Sequence, residues 1–308
     1  ELDVTVTVVD NRSTDTTREA VRSFEEHFKG RLRYVYEPQP GRSHALNAGI
    51  AATNGDLVGM IDDDEQVDGR WFLTIRDAFQ DQSTDFIGGP YLPVWSVERP
   101  AWISNAYGSA VGWVDGGSDV QQFGPSCNAM LMGGNAVIRR SLLERVGPYA
   151  ADLGRTPGGR LLSCEDEDMF ARLLAAGGRG FYRPDLIIHH YVPAERMTKQ
   201  YFRRWCFWRG VSQGVIDRKR RAPVRYLLGV PRYMFGVALR GTWDSLRMLF
   251  RGGDPARLFK NELAWWDLAG FMYGKHLSGF DRWITNWTRQ TRGDVPSAAT
   301  SPLTPPRS

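Results

Sequence analysis

The sequence predicts a doubly wound α/β domain followed by a basic helical region. Two observations predict the domain. Strand and helix patterns alternate from Val4 to Ile61, and polar clusters stand where the first and third strands of that series end. A third observation predicts the appendage: from Met197 the strands give way to long basic and aromatic helical patterns.

Val4 to Val9 is β-branched and reads as a strand, not as a secretion signal; it runs into a polar turn from Asp10 to Asp15. A helical pattern follows from Thr16 to about Phe28, with Ser13, Thr14 or Asp15 available as its cap. Leu32 to Tyr36 is a second strand. Gly41-Arg42-Ser43 opens an alanine-rich helix that runs through Ala52, and Asn54-Gly55 turns the chain into an apolar strand, Leu57 to Ile61. That strand ends in Asp62, Asp63 and Asp64. Open α/β sheets take ligands at the carboxyl ends of their strands, and both Asp10-Asn11 and the three aspartates lie at such ends. Beyond Phe86 the chain is rich in Gly, Pro and Trp. A strand at Ala136 to Ile138 leads into a helix from Ser141 to Val146, a further helix starts near Cys164, and Leu186 to His190 reads as a strand.

Composition narrows the class. The 308 residues are 42% hydrophobic and 24% charged, enough for a sizeable core. Three cysteines without CxxC spacing point to a reducing compartment, and against both a disulfide framework and a zinc site. No apolar run reaches the roughly 18 residues of a spanning helix. The net charge of +4 hides an asymmetry, because Arg196 to Arg251 holds fourteen Lys/Arg against only Asp217 and Asp244. An acidic body with a basic appendage favours an anionic surface as partner. No nucleic-acid-binding motif accompanies the charge, so nucleic acid is not expected.

Three clusters carry chemistry. Asp62, Asp63 and Asp64 repel one another unless a cation sits among them, and hard carboxylates suit a divalent ion that bridges phosphate oxygens. As a lone DxD the string also fits a solvated turn. Glu165, Asp166, Glu167 and Asp168 open an apolar-periodic helix, where the dipole keeps a carboxylate ionised and able to act as a base; acids in a first turn also stabilise any helix. His189 and His190 end a strand. A neutral imidazole there can complete a metal shell, and strand alternation lets only one of the two face inward.

Several stretches, in order, resemble the family 2 glycosyltransferases, which have the GT-A fold. VVDNRSTDTT resembles a strand-end motif of that family, and PGRSHALNAGIAATNGDLVGMIDDDE its helix and DxD strand. GGNAVIRRSLLERVGPY with SCEDEDMFARLLAAGG resembles the acceptor-side strand and catalytic ED motif, and RPDLIIHHYVPAERMTKQYFRRWCFWRG the closing segment of bacterial non-processive members. The resemblance covers about residues 3 to 210. It implies a GT-A mixed sheet flanked by helices over residues 1–195; pattern and composition predict a basic helical membrane-proximal region over 196–293 and a disordered tail over 294–308 rich in Pro, Ser and Thr. The resemblance also implies that Asp10 and Asn11 face the nucleobase and that Arg42 lies near base and diphosphate. Asp62 and Asp63 approach ribose and donor sugar, and Asp64, with Asp62, binds Mg or Mn. Asp166 is the base with Glu165 beside it, and His189 or His190 is a further metal ligand.

Two departures stand out. The family pattern has a strand and helix ahead of the one at Val4, with a base-holding turn, so the expected sheet lacks a central partner and the donor pocket a wall. Gln200 to Trp205 approximates the QxxRW signature of processive synthases with one residue too many, which argues for a non-processive enzyme; Arg203 and Arg204 remain candidates for the diphosphate.

In the appendage Arg232, Arg240, Arg247 and Arg251 fall within about a quarter turn at roughly 100° per residue, amid apolar residues, a pattern suited to a bilayer interface. The expectation is an inverting, metal-dependent glycosyltransferase on the cytoplasmic face of the cell membrane. It would use a nucleotide-sugar donor and a lipid-linked or glycan acceptor, in cell-envelope polysaccharide or glycolipid synthesis. A nucleotidyltransferase, or a degenerate membrane-bound assembly partner, is the alternative.

Overall fold

The computed structural model describes residues 2–151, 164–219, 221–250 and 252–277. The expected tail from residue 294 lies outside them, as do Arg220 and Arg251. In chain order the elements begin with β1 (Val6–Asp10), α1 (Thr17–Ser23), α2 (Glu25–Phe28), β2 (Leu32–Tyr36), α3 (Arg42–Ala51), β3 (Leu57–Met60) and β4 (Glu65–Val67). Next come α4 (Trp71–Ala78), β5 (Phe86–Gly88), β6 (Tyr91–Trp95), β7 (Gln121–Gln122), β8 (Ala136–Arg139) and α5 (Arg140–Val146). Then follow α6 (Glu165–Ala175), β9 (Gly180–Tyr182), β10 (Ile188–Val192), α7 (Lys199–Lys219), a two-stranded hairpin of Tyr226–Leu227 with Val230–Pro231, α8 (Arg232–Leu249) and α9 (Pro255–Met272), with short helical turns between some elements.

The alternation predicted from sequence is present, with one helix broken. The pattern from Thr16 to Phe28 divides at Phe24, and Lys29, at φ 47°, closes its second piece in the left-handed region. The expected single sheet is also divided. β1 and β2 pair in parallel with each other alone, and β3 forms one end of a five-stranded mixed sheet ordered β3-β8-β5-β9-β7. A third, three-stranded sheet is ordered β4-β10-β6.

Helix α3 ties the two-stranded sheet to the five-stranded one. Leu46 and Ile50 pack into the core beside Val58, Met60 and Ile138. On another side of the helix, a side chain at Gly49 would lie only 3.0 Å from Val9 of β1, so the missing Cβ lets helix and strand close up. The Asn47 amide exchanges two hydrogen bonds with the Tyr149 backbone, at 2.8 and 2.9 Å, and fixes the helix against the loop after α5.

Two apolar clusters flank the five-stranded sheet. One centres on Phe86, Ile138, Leu142 and Leu173, the other on Trp71, Ile87, Val137 and Leu186. Asn135 is fully buried between them. It accepts from the Trp71 indole at 2.9 Å and donates to the carbonyls of Leu186 and Pro90, so each end of its amide is satisfied. The helical region shares a core with the α/β region: Phe202, Trp205 and Cys206 of α7 and Phe259 and Leu263 of α9 pack in one cluster with Ile103, Val111 and Val192. α8 lies on α9 through Met234 and Ala238 against Leu268 and Phe271. Among the described residues no helix is long and apolar enough to cross a membrane.

Candidate active site

Arg42, the first residue of α3, is where the distant acidic motifs meet. Its Nη1 donates to Asp166 Oδ1 at 2.9 Å and to Glu165 Oε1 at 3.1 Å, both at the start of α6. Its Nε and Nη2 hold Asp62 Oδ1 at 3.2 and 3.1 Å, just beyond β3. One guanidinium therefore gathers carboxylates from two segments a hundred residues apart. Burial opposes its charge, but Asp166, Asp62 and Glu165 more than restore it and push the arginine further up.

The placement of Arg42 traces to β1. Asn11 accepts from the Gly41 backbone N–H at 2.6 Å and donates to the carbonyls of Glu37 and Gln39, which folds the β2–α3 loop onto the end of β1. Gly41 itself sits at φ 140°, a conformation few side chains tolerate. Asp10 accepts from the Tyr34 hydroxyl and from the Ser13 N–H, and these bonds hold its carboxyl below the usual carboxylate range. Both residues thus stand at a strand end as expected and have internal bonds that shape the turn.

Glu165 is 3% exposed. Burial and the neighbouring Asp166 raise its pKa to about 7, against the pull of the Arg42 ion pair. Cys164, before it, has φ 113° and turns the chain into α6. Asp166 sits in the first turn of α6, at the positive end of the helix dipole.

The acidic triplet splits. Asp62 goes to Arg42, Asp63 is exposed, and Asp64 turns to a different group. Asp64 Oδ2 lies 3.5 Å from His190 Nε2 and 2.9 Å from Arg196 Nη1. Burial works against its ionisation, yet the histidine and arginine outweigh it and hold the carboxyl at about 2. The histidine pair is resolved by register. The strand runs from Ile188, two residues later than expected, and His190 lies across from Glu65 of β4 with its side chain inward. His189 faces the other way, 3.5 Å from Asp68.

Arg203 is not brought to the cluster. Its guanidinium forks onto Glu262 of α9 and stacks over Phe259, so it ties two helices together. Arg204 follows it on α7 and is exposed.

Three residues that sequence reading passed over contribute. Arg196 neutralises Asp64. Glu65 accepts from the Asp62 backbone N–H at 2.8 Å, and burial with the adjacent Asp62 charge raises its pKa to about 8. Gly133 gives Asp166 its room, because a Cβ there would stand 2.0 Å from Asp166 Oδ1. Nothing in the composition of the GGN stretch that contains Gly133 announces a carboxylate overhead.

Residues 1–147 match the family model described as glycosyl transferase family 2. The match covers 147 of the chain's 308 residues. The family 2 match ends before α6, so Asp166 and His190 lie beyond it. A relative, the succinoglycan biosynthesis protein ExoM of Rhizobium meliloti, is 26% identical over 212 residues, 68% of this chain and 63% of its own. The glucosyl-dolichyl phosphate glucuronosyltransferase of Haloferax volcanii is 25% identical over 181 residues, 58% of this chain and 56% of its own. The chain thus spans less than two thirds of either relative's length. Among solved structures, S. aureus TarS overlaps 88% of this chain and 49% of its own at 13% identity, with a TM-score of 0.48. Within the matched residues the chain alternates strands and helices, the α/β pattern described above.

Proposed function

We propose that this chain transfers a sugar from a nucleotide-sugar donor to an acceptor hydroxyl with inversion, in the synthesis of an envelope polysaccharide or glycolipid. The observation that carries the reading is the junction at Arg42, where the acids after β3 and those opening α6 converge on one cation. Succinoglycan biosynthesis and glucuronosyl transfer to glucosyl-dolichyl phosphate, the roles named for the two relatives, are chemistry of that class.

In this reading Asp166 accepts the proton of the attacking hydroxyl. Its carboxylate is ion-paired to Arg42 and stands in the first turn of α6, within reach of a hydroxyl presented there. Attack on the anomeric carbon from that side expels the nucleoside diphosphate from the opposite side, which inverts the configuration. Arg42, held between Asp62 and Asp166, lies where a guanidinium can meet a diphosphate oxygen as well as the base.

A divalent cation, Mg or Mn, fits the donor set of Asp64 and His190, a carboxylate and an imidazole facing each other across 3.5 Å. Among the described residues no group of three such side chains converges, so the remaining ligands would come from diphosphate oxygens and water. When bound, the ion supplies charge neutralisation to the leaving diphosphate.

The test is release of nucleoside diphosphate from a panel of nucleotide sugars, with Mn or Mg and then with chelator, by the chain and its Asp166→Asn variant. Turnover that needs metal and falls at least about a hundredfold in the variant supports the reading. Turnover unchanged in Asp166→Asn overturns the assignment of the base.

A further inference from the structure

The outer face of α8 combines exposed bulky apolar side chains with arginines. Its inner face is buried on α9, but Leu239, Trp243, Leu246 and Phe250 are turned outward, Leu239 60% and Phe250 89% exposed. At about 100° per residue these four share one side of the helix with Arg232, Arg240 and Arg247. The Arg247 guanidinium lies 5.2 Å over the Trp243 ring, so cation and indole form one amphipathic unit. The helix carries a single acid, Asp244, and Arg257 of α9 draws it aside with a two-pronged hydrogen bond, helped by Asn261.

Next to this face is a cavity of about 560 Å³ lined by Val224, Arg225, Arg232, Tyr233, Gly236 and Arg240. Three arginines and no acid line it. Gly236 keeps it open on the helix side, since a Cβ there would come within 3.1 Å of the Arg240 guanidinium. Much of the region's other positive charge is spent internally: Arg203 on Glu262, Arg209 on Asp267, Arg257 on Asp244 and Lys275 on Asp217.

We propose that this face docks on an anionic phospholipid leaflet, with the arginine-lined cavity taking a lipid phosphate and Leu239, Trp243, Leu246 and Phe250 entering the interface beside it. Guanidinium forks match phosphate oxygens, and an interfacial helix needs both parts side by side: cations at the phosphate level and bulky apolar groups just below. A protein partner of acidic surface would satisfy the arginines and leave the four apolar side chains without a complement. Tyr233 also lines a second cavity of about 320 Å³ that reaches Glu167 and Asp168 of α6, so the docked face adjoins the helix bearing Asp166. The docking itself does not depend on the transferase reading.

Flotation of the full chain with vesicles tests it. Vesicles of phosphatidylcholine alone are compared with vesicles that also contain phosphatidylglycerol, for the chain, for Arg232→Glu/Arg240→Glu/Arg247→Glu, and for Trp243→Ser/Phe250→Ser. A charge-matched control reverses exposed arginines elsewhere, Arg22→Glu/Arg31→Glu/Arg145→Glu. The chain and the control are expected to float with the anionic vesicles only. The α8 charge reversal should lower partitioning by about 100-fold or more, and the Trp243/Phe250 pair by about 10-fold or more. Melting curves of all three variants should match the parent, since every altered side chain is on the surface. Failure to bind anionic vesicles, equal binding to neutral ones, or equal loss in the control overturns the proposal. So does a concentration-dependent dimer that only the α8 variants dissolve, in a chain that ignores vesicles.

Discussion

Arg42 and Asp166 stand 2.9 Å apart, Nη1 to Oδ1, although they are 124 positions apart in the chain. Because the same guanidinium serves Asp62 and Glu165, its removal leaves three carboxylates facing one another, one of them almost fully buried. Arg42→Ala is expected to cost about 3–5 kcal/mol of stability, the range for stripping a buried charge of its partner, and to abolish turnover. Arg42→Lys restores the charge but not the fork, so thermal stability should recover more than kcat. Denaturant melts and donor turnover of the two variants check this; equal recovery of both quantities would show that the fork does not position Asp166.

The inward histidine gives a second prediction. His190 faces Asp64, whereas His189 faces Asp68 at the surface. Binding of Mn to the chain with nucleoside diphosphate, followed by electron paramagnetic resonance, should weaken at least about 10-fold in His190→Ala and stay within about twofold in His189→Ala. Comparable weakening in both variants counts against the Asp64–His190 pair as the cation's protein ligands.

That choice between histidines marks where sequence reading stops. The strands from β1 to β3, the helix opening at Arg42 and the acids before and within α6 are visible because periodicity and turn residues are local signals. The inward histidine depends on pairing His190 with Glu65, a register set by a strand over a hundred residues earlier. Glu65 reads as one more acid in a solvated run, and only its burial against Tyr91 and the glycines before β8 makes it a neutral prop for the Asp62 amide. The basic motif around Arg203 points toward phosphate, whereas Glu262, which claims it, is 59 residues further on. The division of the sheet was likewise out of reach of local pattern, since alternation predicts strands but not which edges pair.

Glu165 links the site to pH. Its pKa is raised from the ordinary 4.5 to about 7, so the folded chain holds that proton more tightly than the unfolded chain does. The contribution to stability is therefore full below the unfolded value and is lost as pH rises from about 4.5 through 7. A shift of that size corresponds to roughly 3 kcal/mol at most. Glu165→Gln removes the titration but keeps the shape. Relative to the parent, the variant should gain stability between about pH 5 and 7 in urea melts and level off above that. A constant difference across that range would show that Glu165 ionises normally in the folded chain.

Gly133 tests the position of the base without touching its chemistry. A methyl group at this residue would stand 2.0 Å from Asp166 Oδ1, inside any allowed contact, whereas one at Gly134 would meet Glu65 Oε1 at 2.4 Å and the Tyr91 hydroxyl at 2.7 Å. Asp166 is partly exposed, at a helix start, and can swing away from an added methyl; Glu65 and Tyr91 are hemmed in and cannot. Gly133→Ala should therefore fold with a loss of about 1 kcal/mol and a kcat reduced at least about 100-fold, with the KM for donor little changed. Gly134→Ala should instead lose about 3 kcal/mol, because overpacking there has no flexible neighbour to absorb it. Paired melts and kinetics separate the two effects. A Gly133→Ala chain with full kcat would mean that the acceptor's proton leaves to a group other than Asp166 as the fold now holds it.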